Sequence, residues 1–251
     1  MIARDELIDT LHRASEPCPD VLAMWLGGSF AFDAEDELSD IDLVLAVSED
    51  RVEAVFDRIE TALRDLSPIV ARYRVPEPAW HGFSQCFYRL EAMREEHLLD
   101  LCLVPESKGM SFKEVELHGT PRVIFDRGDY ARTTHLDLAR NRADIDARLP
   151  EIVARHELFG HFVAKELRRG DLLAAQHWFQ AMLVAPLVEL LRMEHCPERF
   201  RFGARYLGRD LPPSVRSRLE SVTLGPPETL GERADLARAW IRELTTSSAG
   251  K

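Results

Sequence analysis

Two hydrophobic periodicities divide this sequence near residue 136, and they limit the folds that the chain can adopt. Before that point, short apolar runs bounded by turn residues, typical of buried β-strands, alternate with stretches of helical spacing. After it, the strand patterns end and the helical spacing continues. The sequence therefore predicts an α/β (α+β) protein, with a sheet-containing domain at residues 1–135 and a helical bundle domain at residues 136–251.

The individual elements follow from the same patterns. Strands are predicted at residues 21–26, 40–47, 85–90, 97–104 and 121–125, and helices at residues 4–14 and 51–66. In the second half, one helix is predicted over residues 151–169, another from residue 172 with a kink at Pro186, and two more after the Pro-Pro pairs at 212–213 and 226–227. The tail at residues 245–251 is predicted to be disordered.

Composition excludes several classes of protein. With 45% hydrophobic and 30% charged residues, the chain is neither an intrinsically disordered protein nor a membrane bundle. The longest apolar stretch, at residues 181–191, is too short to span a bilayer. Acidic residues occupy the amino terminus where a secretory signal needs a basic and then an apolar run, so we expect a cytoplasmic protein. The scattered cysteines suggest buried thiols: Cys18, Cys86, Cys102 and Cys196.

Charge is distributed unevenly along the chain. The net charge is −11, which argues against a DNA-binding protein because phosphate binding needs a basic surface. Residues 1–135 contain 14 basic and 27 acidic residues, whereas residues 136–251 contain 18 and 16. This division would suit a cationic substrate bound beside an anionic cosubstrate, and it equally fits a solvated acidic surface.

Two neighbouring sequence motifs predict a site for chemistry. Gly28 and Ser29 end the first apolar strand, where small residues and free backbone N–H groups allow a phosphate to approach. Asp40 and Asp42 open the next strand, and residues two apart in a strand point to the same face. Two such carboxylates repel each other unless a cation lies between them. Proteins hold Mg²⁺ with one or two carboxylates together with substrate phosphates.

A third acid, Asp100, stands alone inside the apolar strand predicted at residues 97–104. A buried, unpaired charge is costly, so the residue is expected to be paired, protonated or bound to a metal. A salt bridge to a nearby arginine is the simplest alternative. Three such acids can also bridge two Mg²⁺ ions about 3.5 to 4 Å apart, which stabilises an in-line displacement at phosphorus.

These motifs resemble the signature of the DNA polymerase β nucleotidyltransferase superfamily. Within it, the chain most resembles the streptomycin 6-adenylyltransferase type of aminoglycoside nucleotidyltransferase, on the segments at 98–101, 123–128, 157–159 and 162–169. The resemblance implies a catalytic domain with a mixed sheet, ATP as cosubstrate and two Mg²⁺ ions, with nucleotide and acceptor held between the two domains. The implied reaction transfers AMP to a hydroxyl of a small, cationic acceptor such as an aminoglycoside and releases pyrophosphate.

Candidate residues in the second half follow a helical spacing. Glu157, His161, Lys165 and Arg168 would form one polar stripe on the helix predicted at 151–169. Lys165 aligns with the Val-Ala-Lys segment of the resembled family, and we expect Lys165 and Arg168 to meet the triphosphate. Asp100 is the preferred general base and Glu157 the alternative. The stripe could instead be a solvated face with an ion pair.

Two other functions remain open. The same fold could use a hydroxyl of a protein or a tRNA as acceptor, as in antitoxin-like nucleotidyltransferases, although such proteins usually lack a helical domain of their own. It could also be an inactive nucleotide-binding module, but the three intact acids argue against that. We expect ATP and a small molecule as partners, with neither DNA nor a membrane, and the sequence leaves the oligomeric state open.

Overall fold

A computed structural model describes residues 1–77, 79, 81–108 and 114–248 of the chain. The chain forms two compact units, Met1–His135 and Leu136–Lys251. The first contains a mixed sheet and the second is built of helices, so the predicted mixed α/β class is confirmed. No helix in these ranges is long and apolar enough to cross a membrane. The four cysteines are buried free thiols, as predicted.

The first unit is built on a six-stranded sheet. Its strands are β1 (Val21–Leu26), β2 (Ile41–Val47), β3 (Ile69–Arg74), β4 (Ser84–Leu90), β5 (Leu99–Pro105) and β6 (Arg122–Asp126). They lie in the order β3-β4-β5-β2-β1-β6. β2 and β5 are parallel, and the other neighbouring pairs are antiparallel. The parallel pair lies at the centre of the sheet.

Helices cover one face of this sheet. The first unit contains α1 (Arg4–Ser15), α2 (Val52–Leu66) and the short α3 (Val115–His118). Apolar residues of α1 and α2 form one buried cluster with Leu43 of β2 and Leu101 of β5. Side chains alternate between the two faces of a strand, so Asp42 and Asp100 point to the face opposite α1 and α2.

The second unit is a set of helices around its own apolar core. They are α4 (Leu138–Phe159), α5 (Phe162–Arg169), α6 (Leu172–Phe179), α7 (Ala185–His195), α8 (Leu207–Asp210), α9 (Pro213–Thr223) and α10 (Leu230–Ser248). A π-helical turn, Gln180–Val184, joins α6 to α7 just before Pro186. Proline lacks an N–H group and its ring crowds the preceding turn, so a wider turn accommodates it. The irregularity lies where the sequence predicted a kink.

Three details differ from the sequence-based expectations. The helix predicted at 151–169 starts earlier, at Leu138, and is two helices, α4 and α5, interrupted at Gly160. Glycine is a poor helix former, and a Cβ atom at this position would lie 2.5 Å from the His156 carbonyl oxygen. Strand β3 was not predicted, because it is an edge strand whose residues are mostly exposed and show no apolar alternation. Residues 245–248 are helical, and residues 249–251 of the predicted tail lie outside the described residues.

Candidate functional site

Asp42 and Asp100 are direct neighbours across the parallel pair of strands. The register of β2 and β5 places Asp42 opposite Asp100. Adjacent strands lie about 4.8 Å apart, so two half-buried carboxylates stand side by side on the face of the sheet away from α1 and α2. The sequence predicted both residues, but the pairing that joins them is a tertiary contact.

The environment of Asp100 favours its protonated form. Burial, together with the negative charges of Asp42 and Asp40, raises the pKa of Asp100 to about 6, against the lowering effect of the hydrogen bonds from Gln85. Repulsion from Asp42 and Asp40 means that the three acids lie within electrostatic reach of one another. A carboxyl group with this pKa can accept a proton near neutral pH.

Asp40 immediately precedes β2 and contacts the start of β5. The Leu98 backbone N–H donates to Asp40 Oδ1 over 2.9 Å, and the Ile41 N–H donates to the Leu98 carbonyl over 3.0 Å. These two bonds join the beginnings of the parallel strands. One oxygen of Asp40 is thereby engaged with the backbone.

The loop after β1 lies directly against the Asp42 carboxylate. Gly28 has a φ of +52°, and it starts a short 3₁₀ turn, Gly28–Phe32, that includes Ser29. A Cβ atom at residue 28 would stand 1.7 Å from Asp42 Oδ2. The Gly27 N–H also donates to the Asp42 carbonyl over 2.8 Å. Both the conformation and the close approach require glycine here. The predicted Gly28-Ser29 turn is therefore adjacent to the predicted acids.

Gln85 is a site residue that the sequence reasoning did not identify. It lies on β4, which pairs with β5, and its Nε2 donates to both oxygens of Asp100, over 2.7 and 2.9 Å. Asp100 is therefore held by an amide. The alternative expectation, a salt bridge between Asp100 and an arginine, is not met among the residues that the structure describes. A polar side chain in the predicted strand at 85–90 was the available signal, but the pairing of that strand with β5 could not be derived.

The donor set suits a hard divalent cation. Asp42 and Asp100 supply adjacent carboxylates, and their mutual repulsion is the situation that a cation relieves. Mg²⁺ commonly binds one or two carboxylates and completes its shell with waters and phosphates. Among residues 1–77, 79, 81–108 and 114–248, no group of three or more His, Cys, Asp or Glu side chains is arranged to hold a metal ion. The two adjacent acids thus fit Mg²⁺ only if a ligand contributes the remaining oxygens.

The remaining candidate residues belong to the second unit. Glu157 is exposed on α4, and Lys165 and Arg168 are exposed on α5. The break at Gly160 separates them, so the expectation of one polar stripe on one helix was wrong. Lys165 Nζ lies 5.4 Å from the centroid of the Phe162 ring, a cation–π contact within α5. The roles of these three residues stay predictions.

Comparison with known proteins yields only distant structural likenesses. No protein-family model matches the chain, and neither does any curated protein. A nucleotidyltransferase-like protein from Exiguobacterium sibiricum is 16% identical over 98% of this chain and 75% of its own, with a TM-score of 0.37. A spectinomycin adenyltransferase from Enterococcus faecialis, solved with ATP and spectinomycin, is 11% identical over 97% and 98% of the two chains, also with a TM-score of 0.37. At these values neither likeness assigns an activity to this chain.

Proposed function

We propose that this protein is a nucleotidyltransferase that moves AMP from ATP to a hydroxyl of a small, cationic acceptor and releases pyrophosphate. The observation that carries the proposal is the side-by-side placement of Asp42 and Asp100, with the Gly28 loop against the Asp42 carboxylate. This arrangement gathers the three motifs on which the resemblance to the DNA polymerase β superfamily rests. Acids with a purely structural role would not require a glycine in contact with one of the carboxylates.

In the proposed reaction, the acceptor hydroxyl oxygen bonds to the α-phosphorus of ATP, and the bond from that phosphorus to the oxygen bridging to the β-phosphorus breaks. Pyrophosphate leaves, and the hydroxyl proton passes to a carboxylate. Asp100 is the proposed base, because its pKa of about 6 allows it to be ionised before transfer and to accept a proton near neutral pH. Glu157 is the alternative base.

Asp42 and Asp100 are the residues that would hold Mg²⁺. Asp40 is proposed as a further ligand from the sequence motif, although the described residues do not place the three acids as one metal-binding group. Bound there, Mg²⁺ would neutralise charge on the phosphates and orient them for in-line displacement. Gly28 and Ser29 would admit a phosphate close to the backbone, because Gly28 carries no side chain and Ser29 is the second residue of the 3₁₀ turn. Lys165 and Arg168 are proposed as further contacts for the triphosphate, since both are exposed cations on α5. Residues 1–135 would then be the catalytic domain and residues 136–251 the domain that helps to bind nucleotide and acceptor.

The charge of the catalytic unit supports a cationic acceptor. Residues 1–135 contain 27 acidic and 14 basic residues, so an acceptor bearing amino groups would be attracted to this unit. Aminoglycosides have this chemistry, and we propose them as the acceptor class, with the streptomycin type as the specific expectation. Because exposed charges are screened by salt, acceptor affinity should fall as ionic strength rises.

Pyrophosphate release tests the proposal directly. The protein is incubated with Mg²⁺ and each of the four ribonucleoside triphosphates, alone and with a panel of aminoglycosides, and pyrophosphate is measured with an enzyme-coupled assay. We expect release that requires ATP and one or more of the acceptors, and that is lost in Asp42→Asn. Asp65→Asn, at an exposed position on α2, is the matched control and should keep wild-type release.

The same reaction with ATP labelled at the α-phosphorus identifies the acceptor. Label in an aminoglycoside supports the proposal. Label in the protein itself or in added tRNA would replace the proposed acceptor with the macromolecular alternative. Nucleotide binding without release in any of these reactions would contradict the transferase proposal and support an inactive module.

A pair of variants distinguishes the two candidate bases. Asp100→Asn should lose transfer and weaken Mg²⁺ binding together, because the residue is proposed to contact both the metal and the acceptor. If Glu157 were the base, Glu157→Gln would keep nucleotide and metal binding and lose transfer. Near-normal turnover of Asp100→Asn, together with an inactive Glu157→Gln, would reverse the assignment.

A further inference from the structure

A chain of hydrogen-bonded side chains connects His81, Gln85 and Asp100. His81 Nε2 lies 3.1 Å from Gln85 Oε1, and Gln85 Nε2 donates to Asp100 Oδ1 over 2.7 Å and to Oδ2 over 2.9 Å. The Phe83 backbone N–H donates to His81 Nδ1 over 3.1 Å. All three side chains are half-buried. The chain reaches Asp100 from the β4 side of the sheet.

The donors in this chain can be ordered from one end to the other. Because the Phe83 N–H points at His81 Nδ1, that nitrogen must carry a lone pair, and the proton of the neutral ring is on Nε2. His81 Nε2–H then donates to Gln85 Oε1, which fixes the orientation of the amide. The amide N–H₂ group is thereby turned toward the Asp100 carboxylate. The direction of each hydrogen bond is therefore fixed. Flipping the Gln85 amide or moving the His81 proton to Nδ1 would place two donors or two acceptors against each other.

The place of these hydrogen bonds in the sheet determines how they act on the candidate site. In the strand order, β4 lies on one side of β5 and β2 on the other. Asp100 is therefore held by Gln85 on one side and faces Asp42 on the other. A carboxylate held at both oxygens by one amide cannot rotate freely, so its remaining lone pairs keep a constant direction relative to Asp42.

We infer that Gln85 is a positioning residue that holds the Asp100 carboxylate toward Asp42, and that His81 fixes the orientation of the Gln85 amide. The consequence for catalysis rests on the proposed function, whereas the hydrogen-bonded chain itself does not. Partners that orient a reacting or ligating side chain typically change activity about 10- to 100-fold when they are removed. A residue that only satisfies a buried group would affect stability without affecting the orientation of Asp100 or the rate.

Nuclear magnetic resonance of the protein without nucleotide or metal tests the chain directly. In ¹⁵N-labelled protein at pH 8, we expect the ring nitrogens of His81 to show the Nε2–H tautomer. The α–β proton couplings of Asp100, measured with selectively labelled aspartate, should report one rotamer in the wild type and an average of rotamers in Gln85→Met. The Nδ1–H tautomer, or one unchanged Asp100 rotamer in Gln85→Met, would overturn the inference whether or not the protein is a transferase.

Kinetics test the consequence for the proposed reaction. Gln85→Met keeps the length of the side chain and removes its donors, so kcat should fall about 10- to 100-fold while KM for ATP and acceptor stays within about 2-fold. His81→Phe, which leaves the Gln85 amide in place, should lose less. Gln176→Met, at an exposed position on α6, is the matched control and should behave as wild type. Wild-type kcat in Gln85→Met would overturn the positioning role and leave the proposed function standing. An inactive wild type would contradict the proposed function, and the resonance experiment would still decide the inference.

Discussion

The unfavourable environment of Asp100 predicts that replacing this residue stabilises the protein in the absence of metal. The pKa of Asp100 is raised from an ordinary value of 3.8 to about 6, by burial first and by Asp42 and Asp40 second. A raised pKa means that the folded protein is favoured when the group is protonated. The contribution of Asp100 to stability is therefore fully present below pH 3.8 and is lost as the pH rises through 6.

The magnitude follows from the same values. About two pKa units, at about 1.4 kcal/mol each, correspond to a cost of up to about 3 kcal/mol for the ionised group at pH 8. Asp100→Asn removes the charge. Its side-chain oxygen keeps one of the two hydrogen bonds from Gln85, whereas its NH₂ group cannot accept the other, at a cost of about 1 kcal/mol. We expect the variant to be more stable than the wild type by about 1 to 2 kcal/mol at pH 8, and this gain to disappear when the pH is lowered to 4.

Thermal and urea unfolding in the presence of EDTA measure this difference between pH 4 and pH 8. Comparing variant with wild type at each pH removes the contribution of titrating groups that do not interact with Asp100. Asp65→Asn, at an exposed position on α2, is the control and should show no gain that grows with pH. A variant that is equally or less stable at pH 8, or a gain that does not depend on pH, would refute the electrostatic reasoning.

The remaining predictions concern the loop, the acids and the second unit. A residue with a side chain in the left-handed conformation costs roughly 1–2 kcal/mol of stability. Gly28→Ala should cost more than this, because its Cβ atom would collide with Asp42. Gly170→Ala, at positive φ but in open space, should cost only the roughly 1–2 kcal/mol when melting temperatures are compared. Asp42→Asn should abolish pyrophosphate release with an unchanged circular dichroism spectrum, and residual wild-type release would remove Asp42 from the site. Asp210→Leu should destabilise the protein by about 3 to 5 kcal/mol in urea unfolding, because the fully buried Arg192 guanidinium, 2.8 Å from Asp210, would lose its charged partner. A loss under about 1 kcal/mol would contradict this.

Local patterns were sufficient to predict most elements of the first unit. The strands β1, β2 and β5 are short apolar runs bounded by turn residues, and α2 has its apolar residues at helical spacing, so burial and secondary structure are visible together in the sequence. β3 was missed because an exposed edge strand has no such pattern. The break at Gly160 was missed because apolar spacing continues on both sides of it.

For the candidate site too, the sequence predicts the residue types and their faces, whereas the tertiary structure decides which residues are neighbours. That Asp42 and Asp100 are acids on the outer face of apolar strands follows from residue type and from the two-residue period of a strand, both of which are local properties. That these two acids are neighbours, and that Gln85 holds Asp100, depends on β5 lying between β2 and β4. Strand order is selected by burial of the entire sheet face under α1 and α2, a sum over many distant contacts. Residues 58 positions apart, such as Asp40 and Leu98, meet only after that selection has been made.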